Sequence, residues 1–282
     1  MAQIIDGKLV SQSVKDRIRE EVAALKEQGK EITLAVIIVG DDPASRVYVN
    51  NKKKACEYVG FRSLEYALPA ETTQEELIAL IKDLNDREDV NGILCQLPVP
   101  KHIDDKAVIA AIAVEKDVDA FSSYNVGKIM IGDYDFLPCT PAGVMEMLHY
   151  YDIAVEGKNC VVIGRSNIVG KPMAMLLLHE NGTVTITHSR TKDLAEITNK
   201  ADILVAAVGR AKFVTANMVG EGAVVIDVGM NRDENGKLCG DVDFDSVKEK
   251  CSYITPVPGG VGPMTIAMLM QNTLKAYHIQ ND

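Results

Sequence analysis

Asn159-Cys160-Val161-Val162-Ile163-Gly164-Arg165-Ser166-Asn167-Ile168-Val169-Gly170-Lys171-Pro172 is an apolar β-branched run that turns at a glycine and passes into the helical pattern Met173 to Leu178. A glycine turn between a strand and a helix aims backbone N–H groups and a helix N-terminus at phosphate. The motif departs from the full G-x-G-x-x-G pattern: Ser166 stands where the second glycine belongs, and the last glycine comes one residue late. Further strands are expected to follow this turn at Thr183 to Thr187, Ile203 to Ala207 and Ala223 to Val228. The small residues of Ala206 to Gly209 and of Asp227 to Met230 end two of them, letting a flat ligand approach the backbone at the carboxyl edge of the sheet.

The next strand decides which dinucleotide fits. An NAD site usually places an acidic residue about 20 residues beyond the glycines, on the ribose 2′-hydroxyl. Here that strand ends in His188-Ser189-Arg190, with no carboxylate. Arg165, Ser189 and Arg190 could together hold a 2′-phosphate through charge-assisted hydrogen bonds, so NADP is expected over NAD. The plainer alternative is a tight turn with a solvated arginine.

Outward from the turn, strands and helices alternate to both ends of the chain, the pattern of strands joined by crossover helices in a largely parallel sheet. The first half predicts a helix from Ser11 to Glu27, a strand from Thr33 to Val39, a helix from Ser45 to Tyr58 capped by Ser45, a strand from Ser63 to Leu68, a helix from Gln74 to Asn85 and a strand from Gly92 to Leu97. The second half opens near Thr140-Pro141, with Thr140 as a helix cap. The Gly-, Asp-, Ser- and Tyr-rich stretch Lys116 to Pro138 is taken as a joint, and a last helix, Pro263 to Tyr277, is expected to return across it. The expected fold is α/β: two α/β domains flanking a cleft, the C-terminal one a Rossmann-like doubly wound parallel sheet. The boundaries are 1–139 plus 266–282 for a catalytic domain and 140–265 for the dinucleotide domain; 282 residues suit two units better than one.

A formal net charge of −10 argues against a general nucleic-acid surface, which needs a basic face. The six cysteines are far apart, without C-x-x-C or metal-ligand spacing, so they are expected to be reduced core thiols and no metal is expected. No stretch reaches the roughly 20 apolar residues of a membrane span and the N-terminus lacks an apolar leader, so a cytoplasmic location is expected.

In the Ser45 to Tyr58 helix, Tyr48, Ala55, Cys56 and Val59 form an inward stripe whose remaining member is Lys52. An ammonium on a face meant for burial is costly unless it is paired or lies in a cleft. Such an amine is either snorkelling to the surface or partly desolvated, and in the second case it is usable as an acid or base near neutrality. Tyr48 lies one turn earlier on the same face. Gln96, just before Pro98 at the end of an apolar strand, is a second inward polar residue, where a neutral amide can hold a lysine or a ligand without adding charge. Asp117 and Asp119 could each supply a carboxylate to an amino-bearing ring, or could each cap a turn. Pro256 to Thr265 sets three glycines between prolines and suits a wall of the cleft.

Taken together, Gly40-Asp41-Asp42-Pro43-Ala44-Ser45 followed by Tyr48-x-x-x-Lys52, then Gln96-Leu97-Pro98, Lys116-Asp117-Val118-Asp119, Gly164-Arg165-Ser166 with Gly170 and Pro172, and Pro258 to Thr265 resemble the bifunctional methylenetetrahydrofolate dehydrogenase/methenyltetrahydrofolate cyclohydrolase family over essentially the whole chain. The resemblance implies oxidation of 5,10-methylenetetrahydrofolate by NADP and hydrolysis of the methenyl product to 10-formyltetrahydrofolate in one shared cleft, by a homodimer. It implies Lys52 as the acid/base, Gln96 holding and tuning it, Tyr48 positioning the folate ring and Asp119 binding the pterin. Pro98, Pro258, Gly259 and Gly260 join them against the substrate. Gly164, Arg165, Ser166, Gly170, Ser189, Arg190 and Met230 are assigned to the cofactor. Ala120 departs from the family, which usually has glycine there; if φ is positive at that position, the methyl costs about 1 kcal/mol or more. Two alternatives stay open: a dehydrogenase without the hydrolytic step, and a non-catalytic nucleotide-binding relative that has no use for Lys52 or Gln96.

Overall fold

Thr33–Val39 is buried at every residue, as a strand flanked on both sides in a parallel sheet must be. In the computed structural model, which describes residues 2–281, it pairs in parallel with Arg62–Leu68, Thr33 beside Arg62, and with Gly92–Cys95, Leu34 beside Gly92. Arg62–Leu68 lies at the sheet edge and keeps Arg62 and Glu65 exposed, charges that blunt an open edge. The Gln74–Asn85 helix starts at a capping box between Thr73 and Glu76 and presses Leu77, Ile81 and Leu84 onto Ile93 and its neighbours.

The helix that bears Lys52 runs Pro43–Val59, two residues longer at its start than expected. Its cap is Asp42, whose carboxylate accepts from Ser45 N at 2.7 Å, with Pro43 at the first helical position. Proline's missing N–H costs nothing there, so the cap falls before it and Ser45, expected as the cap, is instead buried inside the first turn.

The chain forms two compact units, Gln12–Leu137 with Ile266–Asp282, and Met1–Ser11 with Pro138–Thr265. The second takes the N-terminal residues, which were expected in the other domain. The reason is a two-residue strand, Gln3–Ile4, that pairs in parallel with Tyr253–Ile254. Six strands of this unit pair in parallel among the described residues, in the order Gln3–Ile4, Tyr253–Ile254, Val224–Asp227, Ile203–Ala206, Asn159–Ile163 and Thr183–Thr187. Chain order reverses beside Asn159–Ile163, whose neighbours are Thr183–Thr187 on one side and Ile203–Ala206 on the other. That is the doubly wound arrangement, with its switch point between the ends of Asn159–Ile163 and Ile203–Ala206.

Two further expectations are corrected. The stretch taken as a joint is folded inside the first unit: it holds a helix, Ser123–Ile131, capped by Ser122 and closed by Gly132 in the left-handed region. Thr140 does not cap a helix; it lies within Cys139–Tyr150, which starts one residue earlier, and its hydroxyl meets that of Thr265 at 3.1 Å. The last helix spans Val261–Asn281, so its first turn belongs to one unit and the remainder to the other. Among the described residues all six cysteines are free, no His, Cys, Asp and Glu cluster is arranged to hold a metal, and no helix is long and apolar enough to cross a membrane.

Candidate active site

Lys52 is 8 % exposed, and its ammonium donates to the side-chain oxygen of Gln96 at 3.0 Å. The local sequence explains the meeting. Gly40, at φ 84°, turns the chain out of the central strand into the Asp42-capped helix, while Gln96 follows directly on Cys95 and donates its backbone N–H to Ile37 O at 2.8 Å. The two residues therefore meet where the first unit's strand order, Arg62–Leu68, Thr33–Val39, Gly92–Cys95, reverses, the place at which an open parallel sheet admits a ligand. The Gln96 amide donates to Leu97 O at 2.7 Å, which turns its oxygen toward the amine.

The buried face of this helix is Ser45, Val49, Lys52, Ala55, Cys56 and Val59. Tyr48, expected in the stripe, stands at its rim with 36 % exposure, and partial burial raises its phenol pKa. Lys53 and Lys54 are exposed. Burial pushes the Cys95 thiol pKa up to about 12, with the Asp119 and Asp105 carboxylates raising it further and Lys52 opposing them. Asp119 and Lys52 thus both lie within electrostatic reach of one strand end. Pro98 is exposed just beyond it.

The two aspartates of the Lys116 motif separate in role. Asp117 is 2 % exposed and accepts from Ser122 N at 2.9 Å, Asn125 Nδ2 at 2.9 Å and Phe121 N at 3.3 Å, a turn-capping carboxylate with its oxygens occupied. Asp119 is half-buried. Ala120, after it, does hold φ 58° with its methyl fully buried, a conformation that costs a non-glycine residue about 1–2 kcal/mol.

In the second unit, Gly164 sits at φ 136°, and a Cβ there would land on Ala207 O; a Cβ on Gly170 would land on Gly164 O. Both glycines are required by the fold of the turn itself, and the strand ends at the switch point touch backbone to backbone. Ser166, in the place of the missing glycine, accepts from Val169 N at 3.2 Å and Gly170 N at 3.3 Å and so braces the start of the Gly170–His179 helix, whose cap position is Val169. The exposed side chains of Arg165, Ser189 and Arg190 follow adjacent strands, in which Ile163 is opposite Thr187 and Gly164 N donates to Thr187 O at 2.9 Å. The residues fit a dinucleotide with a 2′-phosphate: a glycine cradle against the sheet, two arginines, and no carboxylate at the end of Thr183–Thr187.

The proline–glycine loop packs within the same unit. A Cβ on Gly260 would come 2.6 Å from Pro256 O, and one on Gly7 would land on Gly260 O, while Gly259 holds φ 108°. A Cβ on Gly262 would come 3.0 Å from the methyl of Met230, which is 46 % exposed. Two residues with no expected role lie beneath. Asp227 and Asp241, 3 % and 0 % exposed, accept between them from six backbone N–H groups and the Asn231 amide. The sequence signal was present in the mirrored pairs Asp227-Val-Gly229 and Gly240-Asp241, but it needs the contact between them to be understood.

Residues 5–119 match the tetrahydrofolate dehydrogenase/cyclohydrolase catalytic domain, and residues 138–281 match the NAD(P)-binding domain of the same family. The chain is 65 % identical over 272 residues to the bifunctional protein FolD of Lachnoclostridium phytofermentans, an alignment covering 96 % of each. Its fold superposes with a TM-score of 0.97 on the bifunctional methylenetetrahydrofolate dehydrogenase/cyclohydrolase of Campylobacter jejuni, 50 % identical, over 99 % of both chains. The Trypanosoma brucei enzyme, solved with NADP and an inhibitor, gives 0.94 at 41 % identity over 99 % of this chain and 98 % of that one. The catalytic and nucleotide-binding halves both match in sequence and in fold, and the chain belongs to the tetrahydrofolate dehydrogenase/cyclohydrolase family.

Proposed function

We propose that Lys52 is the acid/base of the hydrolytic half of a two-step reaction, in which 5,10-methylenetetrahydrofolate is oxidised with NADP to the 5,10-methenyl cation and the cation is hydrolysed to 10-formyltetrahydrofolate. The observation that carries this reading is an amine almost wholly buried, yet hydrogen-bonded to a neutral amide at a sheet switch point. Gln96 orients the amine through a neutral oxygen and adds no charge of its own beside it.

In the hydrolysis, the oxygen of water bonds to the methenyl carbon and a water proton passes to Lys52 Nζ, which leaves a neutral hydroxyl adduct. The bond from that carbon to N5 then breaks, Nζ returns the proton to N5, and the hydroxyl proton leaves as the carbonyl forms on N10. One proton is released overall. Tyr48, at the rim of the helix face, positions the folate ring, and Asp119 accepts N–H donors of the pterin. Pro98, Pro258, Gly259 and Gly260 supply rigid or side-chain-free walls.

When bound, NADP supplies the hydride acceptor of the oxidative step. The chain's part in that step is alignment. Gly164 and Gly170 keep the turn free of side chains, Ser166 fixes the helix start, Arg165, Ser189 and Arg190 bind the 2′-phosphate, and Met230 packs beside the ligand. The working state is a cytoplasmic homodimer, as the family resemblance implies.

A two-wavelength assay that separates NADPH formation from methenyl loss tests the assignment. Lys52→Met should cut hydrolysis by about 10²- to 10⁴-fold while NADP affinity stays unchanged. Equal loss of both would remove Lys52 from this role.

A further inference from the structure

Asp241 is wholly buried, and its carboxylate accepts from three successive backbone N–H groups: Val208 at 2.7 Å, Gly209 at 3.1 Å and Arg210 at 2.8 Å. Asn231 Nδ2 donates to it at 2.9 Å. Three consecutive N–H groups on one carboxylate leave Val208–Arg210 little freedom, because a wholly buried acceptor that loses its donors costs about 1–3 kcal/mol. The carboxylate is itself held from behind. Asp227 Oδ1 accepts from Asp241 N and Gly229 N, both at 2.9 Å, and its Oδ2 accepts from Val242 N at 2.9 Å.

Glycines make this approach possible. A Cβ on Gly229 would land on the Asp241 carboxylate, and a Cβ on Gly240 would land on that of Asp227. The segment Asp241 restrains continues directly from Ala207, whose N–H donates to Ile163 O at 2.8 Å and whose carbonyl fills the space where a Gly164 side chain would be. Asn231, its fourth donor, is the residue after Met230. One buried carboxylate therefore ties the loop after Ile203–Ala206, which packs on the glycine turn, to Asn231 in the loop after Val224–Asp227.

We propose that Asp241 is a positioning residue of the dinucleotide site: by fixing Val208–Arg210 and Asn231 it sets the backbone surface against which the Gly164 turn, and the NADP bound there, are seated. The proposal rests on the reading that NADP binds at that turn. It assigns to Asp241 an effect on cofactor binding and none on the proton transfer of methenyl hydrolysis, whose residues Lys52 and Gln96 lie in the other unit.

The test measures the KM for NADP in Asp241→Asn and Asn231→Ala, alongside hydrolysis of methenyltetrahydrofolate supplied directly without NADP, with Arg165→Ala as a reference. Asp241→Asn turns one acceptor into a donor facing N–H groups and should raise the KM for NADP about tenfold or more. Asn231→Ala removes one bond and should raise it a few-fold, with hydrolysis within twofold of the parent in both. An unchanged KM in both variants while Arg165→Ala raises it overturns the role of Asp241 alone. An unchanged KM in all three overturns the placement of NADP, and the proposal with it. Parallel loss of NADP binding and hydrolysis in folded protein overturns it in favour of general destabilisation. Should Asp241→Asn fail to fold, Asn231→Ala decides: a raised KM with intact hydrolysis supports the role and an unchanged KM overturns it.

Discussion

Lys52 reaches Gln96 across 44 positions of sequence, and the partner it finds at 3.0 Å is an uncharged oxygen. Charge at that oxygen is therefore a variable that one substitution controls. Gln96→Glu places a carboxylate beside the amine and favours its charged form. The base-dependent limb of the hydrolysis pH profile should move to higher pH, and activity near neutrality should fall by about tenfold or more. NADPH formation should change less. A profile superimposable on that of the parent would show that residue 96 does not tune the proton transfer.

Arg165 is exposed on the glycine turn, with Ser189 and Arg190 at the end of the neighbouring strand. A charge-assisted hydrogen bond contributes about 1.5–3 kcal/mol, so Arg165→Ala should lower the ratio of NADP to NAD affinity by about 10- to 100-fold. Isothermal titration with each dinucleotide measures this directly. An unchanged ratio would place the 2′-phosphate elsewhere.

Asp227 is pushed up to about 6 by burial, which three backbone N–H donors only partly offset and to which the neighbouring Asp241 charge adds. Its folded-state pKa lies above the unfolded value, so the native state holds the extra proton between about pH 4 and 6 and loses that stabilisation as pH rises through this window. A shift of about two units corresponds to about 3 kcal/mol. The unfolding free energy of the parent minus that of Asp227→Asn should therefore fall by about this amount between pH 4 and 7. Parallel pH dependences in denaturant titrations of the two proteins would contradict the assignment.

Burial pushes the Cys56 and Cys95 thiols up to about 12 and Cys160 to about 11, while Cys239 is only half-buried. The thiolate is the reacting species. A disulfide reagent at pH 8 should modify Cys239 first in the native protein, leaving the other five until unfolding, as peptide mapping of the labelled chain would reveal. Rapid native labelling of Cys95 would mean that the strand end beside Lys52 opens to solvent.

How far the chain announces its own structure depends on the range of the forces involved. The Thr33–Val39, Asn159–Ile163 and Thr183–Thr187 strands and the Gln74–Asn85 helix fall at their expected ends, because each is bounded by residues that act locally, as Thr73 and Glu76 do. Gln3–Ile4 and Tyr253–Ile254 are too short to have a period, and only their pairing makes them strands. Ser123–Ile131 was hidden because its buried positions, Asn125 and Ile129, do not form an apolar stripe, and its cap network runs back to Asp117. Lys52 and Gln96 stood out as polar residues where apolar ones were expected, but their contact is tertiary. That Asp117 caps the turn likewise depends on its donors, Ser122 N, Phe121 N and Asn125 Nδ2, which spacing does not reveal. The substrate proposed for Lys52, Gln96, Tyr48 and Asp119 rests on family resemblance, since spacing alone does not name a substrate.

The Asp241 carboxylate fills the space where a Gly229 side chain would stand, and the Asp227 carboxylate does the same at Gly240. Neither position can acquire a methyl group without evicting a carboxylate, and neither carboxylate can be given up without stranding the amides it serves. Divergence at this corner therefore has no single-step route, and among descendants of this gene the four residues should be inherited or replaced as a block.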